Sequence, residues 1–268
     1  MLPFRYGGMS HVGLVRSGNE DAGFASHHVQ VVADGVGGAA AGEVAAATTA
    51  YVVSALAAAH PTADAATLLR SAVAEAHTQL HHGVLADPDR TGMATTLTAA
   101  LARHGKVTVA HVGDSRAYRL RDGHLTRLTT DHTFVQTMVD AGRLTPDEAR
   151  THPYRSVVLR SVNAEEAPRP DVFRPDLRPG DRMLLCSDGL TDFVDEPTVR
   201  ARLATPGHPD DAAQALVDAA LAAGGRDNVT CLVCDLDDGP RMSWDGRLLG
   251  AMADPFLVVD AAAIHRSA

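Results

Sequence analysis

Three cysteines in 268 residues are too few, and odd in number, to staple a secreted scaffold. The N-terminus lacks the basic-then-apolar layout of a signal peptide. Together these point to a reducing, cytoplasmic setting. Uninterrupted strongly apolar runs of about 20 residues, the length of a membrane span, are missing. The most apolar stretch, Val44 to Ala59, is mostly Ala, Val and Thr and stops at Glu43 and His60. Basic runs are missing too. The basic residues are scattered and mostly arginine, and the formal net charge is −9. Such a chain repels a phosphate backbone, which argues against a nucleic-acid partner. Cys231 and Cys234 form C-x-x-C, but they sit in an apparent strand, where residues three apart face opposite ways. A shared zinc or a redox pair is therefore not expected. The pairs His27-His28 and His81-His82 lack ligand spacing and read as solvated.

What is present is the composition of a soluble globular chain, with 45% hydrophobic and 21% charged residues. The length suits one sizeable core or two small ones. Strand-like segments run from residue 10 to Asp34. An Ala-rich helical stretch follows to Ala59, and a second helix spans about Asp64 to Leu85, with Leu68, Leu69, Val73, Ala76 and Leu80 on one face. Strands return from Met93 to Thr130, turning at Arg103-His-Gly-Lys106 and Arg121-Asp-Gly-His124. Thr145-Pro-Asp-Glu148 reads as a capping box, so two short helices are expected within 131 to 152. Strands resume near 170 to 187. A helix follows from Asp210 to Ala223, and a last strand from 229 to 236. Runs of strands with helices in separate blocks indicate an α+β fold. Asp237-Asp-Gly-Pro-Arg241 reads as a turn or linker. Beyond it the tail carries Trp244 and Pro255-Phe-Leu-Val-Val259. These residues leave open whether it is a packed extension or a flexible arm.

Several carboxylates stand at the ends of apolar runs, some followed by glycine. They are Asp34, Asp114, Asp188 and Asp227, with Glu20 and Asp21 following an expected strand that ends near Arg16. A single Asp-Gly pair is ordinarily a turn. Asp34-Gly35 and Asp188-Gly189, however, follow runs that should be buried strands, not hairpin ends. Converging carboxylates without a His or Cys cluster suit a hard cation such as Mg²⁺ or Mn²⁺. Gly35-Val-Gly-Gly-Ala-Ala40 also fits a dinucleotide fingerprint. Asp34 would there face a pyrophosphate, and no acid lies between Glu43 and Asp64 to bind a ribose.

Six motifs occur in order: Arg16-Ser-Gly-Asn-Glu-Asp21, Asp34-Gly-Val-Gly-Gly38, Gly92-Met-Ala-Thr-Thr96, Gly113-Asp-Ser-Arg116, Ser187-Asp-Gly-Leu190 and Asp227-Asn-Val-Thr230. Together they resemble the metal-dependent protein phosphatases (the PPM, or type 2C, family) in their compact bacterial form. Asp131-His132 and Thr151-His-Pro-Tyr-Arg155 resemble that bacterial branch as well. The resemblance covers roughly residues 8 to 236. It implies a four-layer α-β-β-α sandwich, two antiparallel sheets flanked by helices, with a phosphatase domain over 1–236 and an extension over 237–268. It also implies two core Mn²⁺ or Mg²⁺ ions and a third, weaker one. Asp34 would bridge the core pair, Gly35 would lend its carbonyl, and Asp188 and Asp227 would complete the ligands. Glu20 and Asp21 would hold waters behind them, and Asp114 would serve the third ion with Asp188. Arg16 would grip the substrate phosphate, as a planar fork does better than lysine.

The implied activity is hydrolysis of phosphoserine and phosphothreonine in proteins by a metal-activated water at a binuclear centre, opposing Ser/Thr kinases. A monomer is expected. Val36 stands where animal relatives carry a suspected proton-donating His, so the general acid is unassigned. His152 is a distant candidate, and a role as a flap residue is favoured for it. Asn163-Ala164 falls where relatives often carry Gly. A non-catalytic, metal-binding relative is the rival reading. Retention of Arg16, Asp34, Asp188 and Asp227 argues against it.

Overall fold

The computed structural model describes residues 3–36, 41–237 and 246–259. In chain order the elements are β1 (Phe4–His11), β2 (Asp21–Ser26), β3 (Val29–Val36), α1 (Gly42–Ala59), α2 (Ala65–Ala86), β4 (Ala94–Thr95), β5 (Leu97–Arg103), β6 (Lys106–Val112), β7 (Arg116–Arg121) and β8 (His124–Arg127). Then come α3 (Phe134–Asp140), α4 (Pro146–Thr151), β9 (Val162–Asn163), β10 (Asp171–Phe173), β11 (Arg182–Cys186), α5 (Asp188–Thr191), α6 (Glu196–Ala204), α7 (Pro209–Ala222), β12 (Val229–Leu236) and β13 (Gly246–Gly250). One sheet runs β1-β12-β11-β7-β8. The other runs β10-β6-β5-β3-β2-β13, with β4 and β9 added beside the end of β3. The pairings within both are antiparallel.

Strand alternation sorts the apolar residues into layers. On β12, Val229, Cys231 and Val233 face α6 and α7, while Leu232, Cys234 and Leu236 face the second sheet. Cys231 and Cys234 therefore lie in different layers, as their spacing requires, and all three cysteines are free and buried. On β3, Val29, Val31 and Ala33 face α1 and α2, and Val32 faces the inter-sheet core. The result is the expected α-β-β-α sandwich, with a small-residue layer of Ala25, Ala100, Ala102 and Ala117 helping the two sheets close on each other. By length and mean hydropathy (1.3) α1 is apolar enough to cross a membrane, yet 72% of it is buried within this fold.

Most of the expected boundaries hold. Asp64 caps α2 by accepting from Thr67 N–H, and all five expected face residues of α2 are buried. The Thr145–Glu148 capping box is formed in both directions. Three readings need correction. His28 is buried, not solvated: its carbonyl accepts from Ala102 N–H (2.8 Å), which lays the β2–β3 turn against the distant strand β5. The strand before Glu20 ends at His11, and Asp21 opens a strand of its own. Helix α6 was not anticipated; only Val199 and Leu203 of its nine residues are buried, too few to mark a face in sequence. Of the tail, β13 pairs with β2 and places Leu249 in the inter-sheet core, while Ala251 and Met252 pack on α1. Trp244, Gly37, Gly38 and most of the 237–241 linker lie outside the described residues.

Candidate metal centre

The acidic residues gather at one end of the sandwich because strands from both sheets end there. Asp34 lies near the end of β3, and Asp21, at the start of β2, is its ladder partner. Asp188 opens α5 directly after β11. Asp114 follows β6 by two residues, and Asp227 precedes β12 by two. Glu20 adjoins β2, and its carbonyl accepts from Gly35 N–H at 3.2 Å.

Hydrogen bonds from both sheets fix this arrangement. Ser187 Oγ donates to Asp21 Oδ2 (2.7 Å) and accepts from Thr230 N–H (2.9 Å). Thr96 N–H donates to the Asp34 carbonyl (2.8 Å), and Thr96 Oγ1 accepts from Asp34 N–H (3.1 Å). Asn228 ties three segments together: its Oδ1 accepts from Glu20 N–H (2.8 Å), and its Nδ2 donates to Val12 and Gly18 carbonyls (2.9 Å each). At Gly35 a Cβ would come to 2.6 Å from the Gly42 backbone. Only glycine lets the end of β3 abut the start of α1 this closely.

The electrostatics are those of anions crowded out of water. Burial first, then the charges of Asp21, Asp188 and Asp114, push the Asp34 carboxyl well above its ordinary range. Asp188 is raised likewise, by burial and then by Asp114, Asp192, Asp227 and Asp21. Burial lifts Asp21 to about 6 and Asp114 to about 7. Asp21 Oδ1 is buried with no hydrogen-bond partner. A divalent cation is the group that relieves such a cluster, and an oxygen-only donor set selects a hard one. Among the described residues no three His, Cys, Asp or Glu side chains close into a ready cage. The acids instead offer neighbouring single carboxylates, the donors that Mg²⁺ and Mn²⁺ sites combine with water. The residues present therefore fit the expected ions. Beside Asp114 and Asp188, a cavity of about 570 Å³ opens beneath α3 and α4, with Arg155 and Asp192 on its wall.

Two arginines pair with carboxylates other than their nearest in sequence. Arg16 does not pair with Glu20 or Asp21. It holds Asp227, Nη2 to Oδ2 and Nε to Oδ1 at 3.0 Å each. Arg116 does not pair with Asp114, because Asp131 takes its guanidinium (Nη2 to Oδ2, 2.7 Å). Asp192 was missed. It lies one helical turn after Asp188, with its N–H on the Asp188 carbonyl (2.8 Å), and shares the charge field of the cluster. The i, i+4 spacing of two acids was the available signal. His152 follows α4 directly and lies near the tilted rings of Phe134 and Tyr154 (centroids 6.2 and 5.6 Å). Asn163 Oδ1 accepts from the Glu165 and Glu166 N–H groups (2.9 and 2.8 Å), stiffening a position where glycine was the expected relative.

A family model described as protein phosphatase 2C matches residues 15–222. The serine/threonine protein phosphatase PstP of Mycobacterium tuberculosis is 44% identical over 237 residues, which cover 88% of this chain and 46% of that protein. The chain thus spans about half the length of this relative. The serine/threonine phosphatase stp of Listeria monocytogenes is 32% identical over 84% of this chain and 93% of its own. Among solved structures, the Mycobacterium tuberculosis PstP/Ppp phosphatase superposes with a TM-score of 0.84 at 44% identity, covering 88% of this chain and 100% of that one. The catalytic domain of PstP in complex with two manganese ions superposes at 0.82 and 42% identity, covering 89% and 100%.

Proposed function

The chain belongs to the protein phosphatase 2C family, and on that premise we propose that it hydrolyses phosphoserine and phosphothreonine in proteins with the help of Mn²⁺ or Mg²⁺. The observation that carries this reading is the convergence of Asp34, Asp188, Asp21 and Asp114, each raised by burial, and Asp34 and Asp188 also by the charges of the others, beside the exposed Arg16–Asp227 pair. Asp34 would hold both core ions, with the Gly35 carbonyl, Asp188 and Asp227 completing the set. When bound, two cations would neutralise the phosphate's charge and ready a water for attack near neutral pH. Asp21 and Glu20 would orient metal-bound water behind these ligands, and Asp21 Oδ1 is an unpaired acceptor suited to that role. Asp114 would serve a third ion. Arg16 would offer two N–H groups to the phosphate once Asp227 is engaged elsewhere. No cysteine is needed as a nucleophile, and burial holds the Cys186 thiol at a pKa of about 12.

The PstP and stp names support a protein substrate. Ser/Thr kinases would be among the phosphoproteins it reverses, and the setting would be a cytoplasmic monomer with reduced thiols. The test is phosphate release from a phosphothreonine peptide with Mn²⁺ and with excess chelator, run in ¹⁸O-water. One ¹⁸O per phosphate, only with metal, is expected. Metal-independent release, or none, would refute the reading.

A further inference from the structure

Asp131-His132 was singled out in the sequence, yet neither residue has a place in the chemistry above. In the fold they grip both ends of the Gly113-Asp-Ser-Arg116 turn. His132 N–H donates to the Gly113 carbonyl (2.7 Å), and Gly113 N–H donates back to His132 Nδ1 (3.1 Å). Asp131 takes the Arg116 guanidinium through three contacts of 2.7 to 3.1 Å and also engages Arg127. Gly113 has φ +106°, and a Cβ there would press to 2.6 Å on the Thr96 side chain, so the turn as built requires glycine here. Asp114, Asp131 and His132 are each 8% exposed.

The same segment anchors the flap, here the 133–159 stretch whose helices α3 and α4 line the cavity. The His132 carbonyl accepts from Leu159 N–H (2.7 Å), and the Val157 carbonyl accepts from Phe134 N–H (2.9 Å). Thr133 bridges to Val158. The ring of His132 is fixed as well. Gly113 N–H can only donate, so Nδ1 must carry a lone pair and the proton sits on Nε2. Nε2–H then donates to Asp171 Oδ2 (3.1 Å). Arg160 Nη1, itself only a donor, satisfies Asp171 Oδ1 (3.3 Å) rather than the ring.

We propose that Asp131-His132 is a clamp that sets the position of Asp114 and ties it to the flap, with His132 acting as a positioning residue through Nδ1. The inference rests on the reading of Asp114 as a group that works in the cleft. Losing Nδ1 would leave the buried Gly113 N–H without a partner, and the turn would shift to satisfy it.

The test uses the full chain with His132→Asn, His132→Gln and His132→Ala. Asn places an acceptor where Nδ1 stands; Gln reaches toward Asp171 and leaves Gly113 unpaired. In metal-free protein, Gly113 amide exchange should stay near wild type in the Asn variant. It should rise about tenfold or more in the Gln and Ala variants. With Mn²⁺, the ratio of kcat on a phosphothreonine peptide to kcat on p-nitrophenyl phosphate should follow the same order. If Asn behaves like Gln in exchange, or Gln like wild type, the clamp is overturned; this comparison stands even where Ala fails to fold. Should the wild type hydrolyse neither substrate, the phosphatase reading falls, and Gly113 exchange still decides the clamp.

Discussion

Arg16 and Asp227 hold one another through two contacts of 3.0 Å, across 211 residues of chain. The residue expected to grip phosphate and a residue expected to hold a cation are thus each other's partner until ligands arrive. Both side chains are substantially exposed (51% and 39%), so the pair itself contributes little to stability. A cation on Asp227 would free the guanidinium for phosphate, which couples the two binding events. Arg16→Ala should lower kcat/KM on a phosphopeptide at least tenfold, or ~1.4 kcal/mol, mainly through KM. Mn²⁺ affinity should hold or rise, since a competing positive charge is gone. Titration calorimetry checks this, and a collapse in Mn²⁺ binding would make the pair structural.

Asp114 is 8% exposed, and Arg116, though near enough to lower its pKa, gives its hydrogen bonds to Asp131, which leaves the Asp114 carboxyl to act in the cleft. Asp114→Ala should keep the fold and both core Mn²⁺ ions while losing most phosphopeptide turnover. The loss on p-nitrophenyl phosphate should be smaller, because that leaving group needs little protonation. Comparing the two activities settles it: equal losses would remove any link between Asp114 and leaving-group protonation.

His111 is fully buried, with Thr98 Oγ1 at 2.9 Å from Nδ1 and the Thr130 carbonyl at 3.1 Å from Nε2. The charged or titratable groups around it are His132, Asp131 and Asp171. Burial lowers its pKa from the ordinary 6.5 to about 4. Above 6.5 both folded and unfolded chains hold it neutral. Between 6.5 and about 4 only the unfolded chain takes the proton, so stability falls as pH falls through that window. Asp21 and Asp114, raised to about 6 and about 7, act oppositely in metal-free protein: they favour the fold at low pH and lose that contribution as pH rises. The readout is therefore a difference. His111→Gln should narrow its stability gap to wild type as pH drops from 7 to 4, in chemical denaturation without metal. A constant gap would contradict the assignment.

Leu249 on β13 is 8% exposed and lies over Gly8 and Gly23, where a Cβ would meet it at 2.8 and 3.3 Å. Those glycines make room for a side chain from the tail. Leu249→Ala should destabilise the protein by about 2–4 kcal/mol. Activity per folded molecule should stay unchanged, since β13 presents no acid to the cleft. A change below about 0.5 kcal/mol would mean that the strand contributes no core.

Much of this was legible in the sequence where signals are local. An apolar face placed α2, Ala-rich composition placed α1, and α7 was expected within a residue of its bounds; Asp-Gly and the Thr145–Glu148 box placed turn and cap. Ordered acids at strand ends found Asp34, Asp114, Asp188 and Asp227. What was not legible depends on distant contacts. The partners of Arg16 and Arg116, the burial of His28 and the threefold tie of Asn228 are set by chain segments far apart in number. The tail was ambiguous because β13 is defined by the β2 edge it pairs with, not by its own Gly-Arg-Leu-Leu-Gly pattern.

The central claim is that Asp34, between Asp21 and Asp188, holds the ions on which phosphate hydrolysis depends. The most direct measurement is turnover of a phosphothreonine peptide by Asp34→Asn at saturating Mn²⁺, beside wild type. The account predicts near-complete loss, since removing a central ligand costs several kcal/mol, roughly a hundredfold or more in rate. A folded Asp34→Asn variant that keeps more than about a tenth of wild-type turnover, about 1.4 kcal/mol, would contradict it.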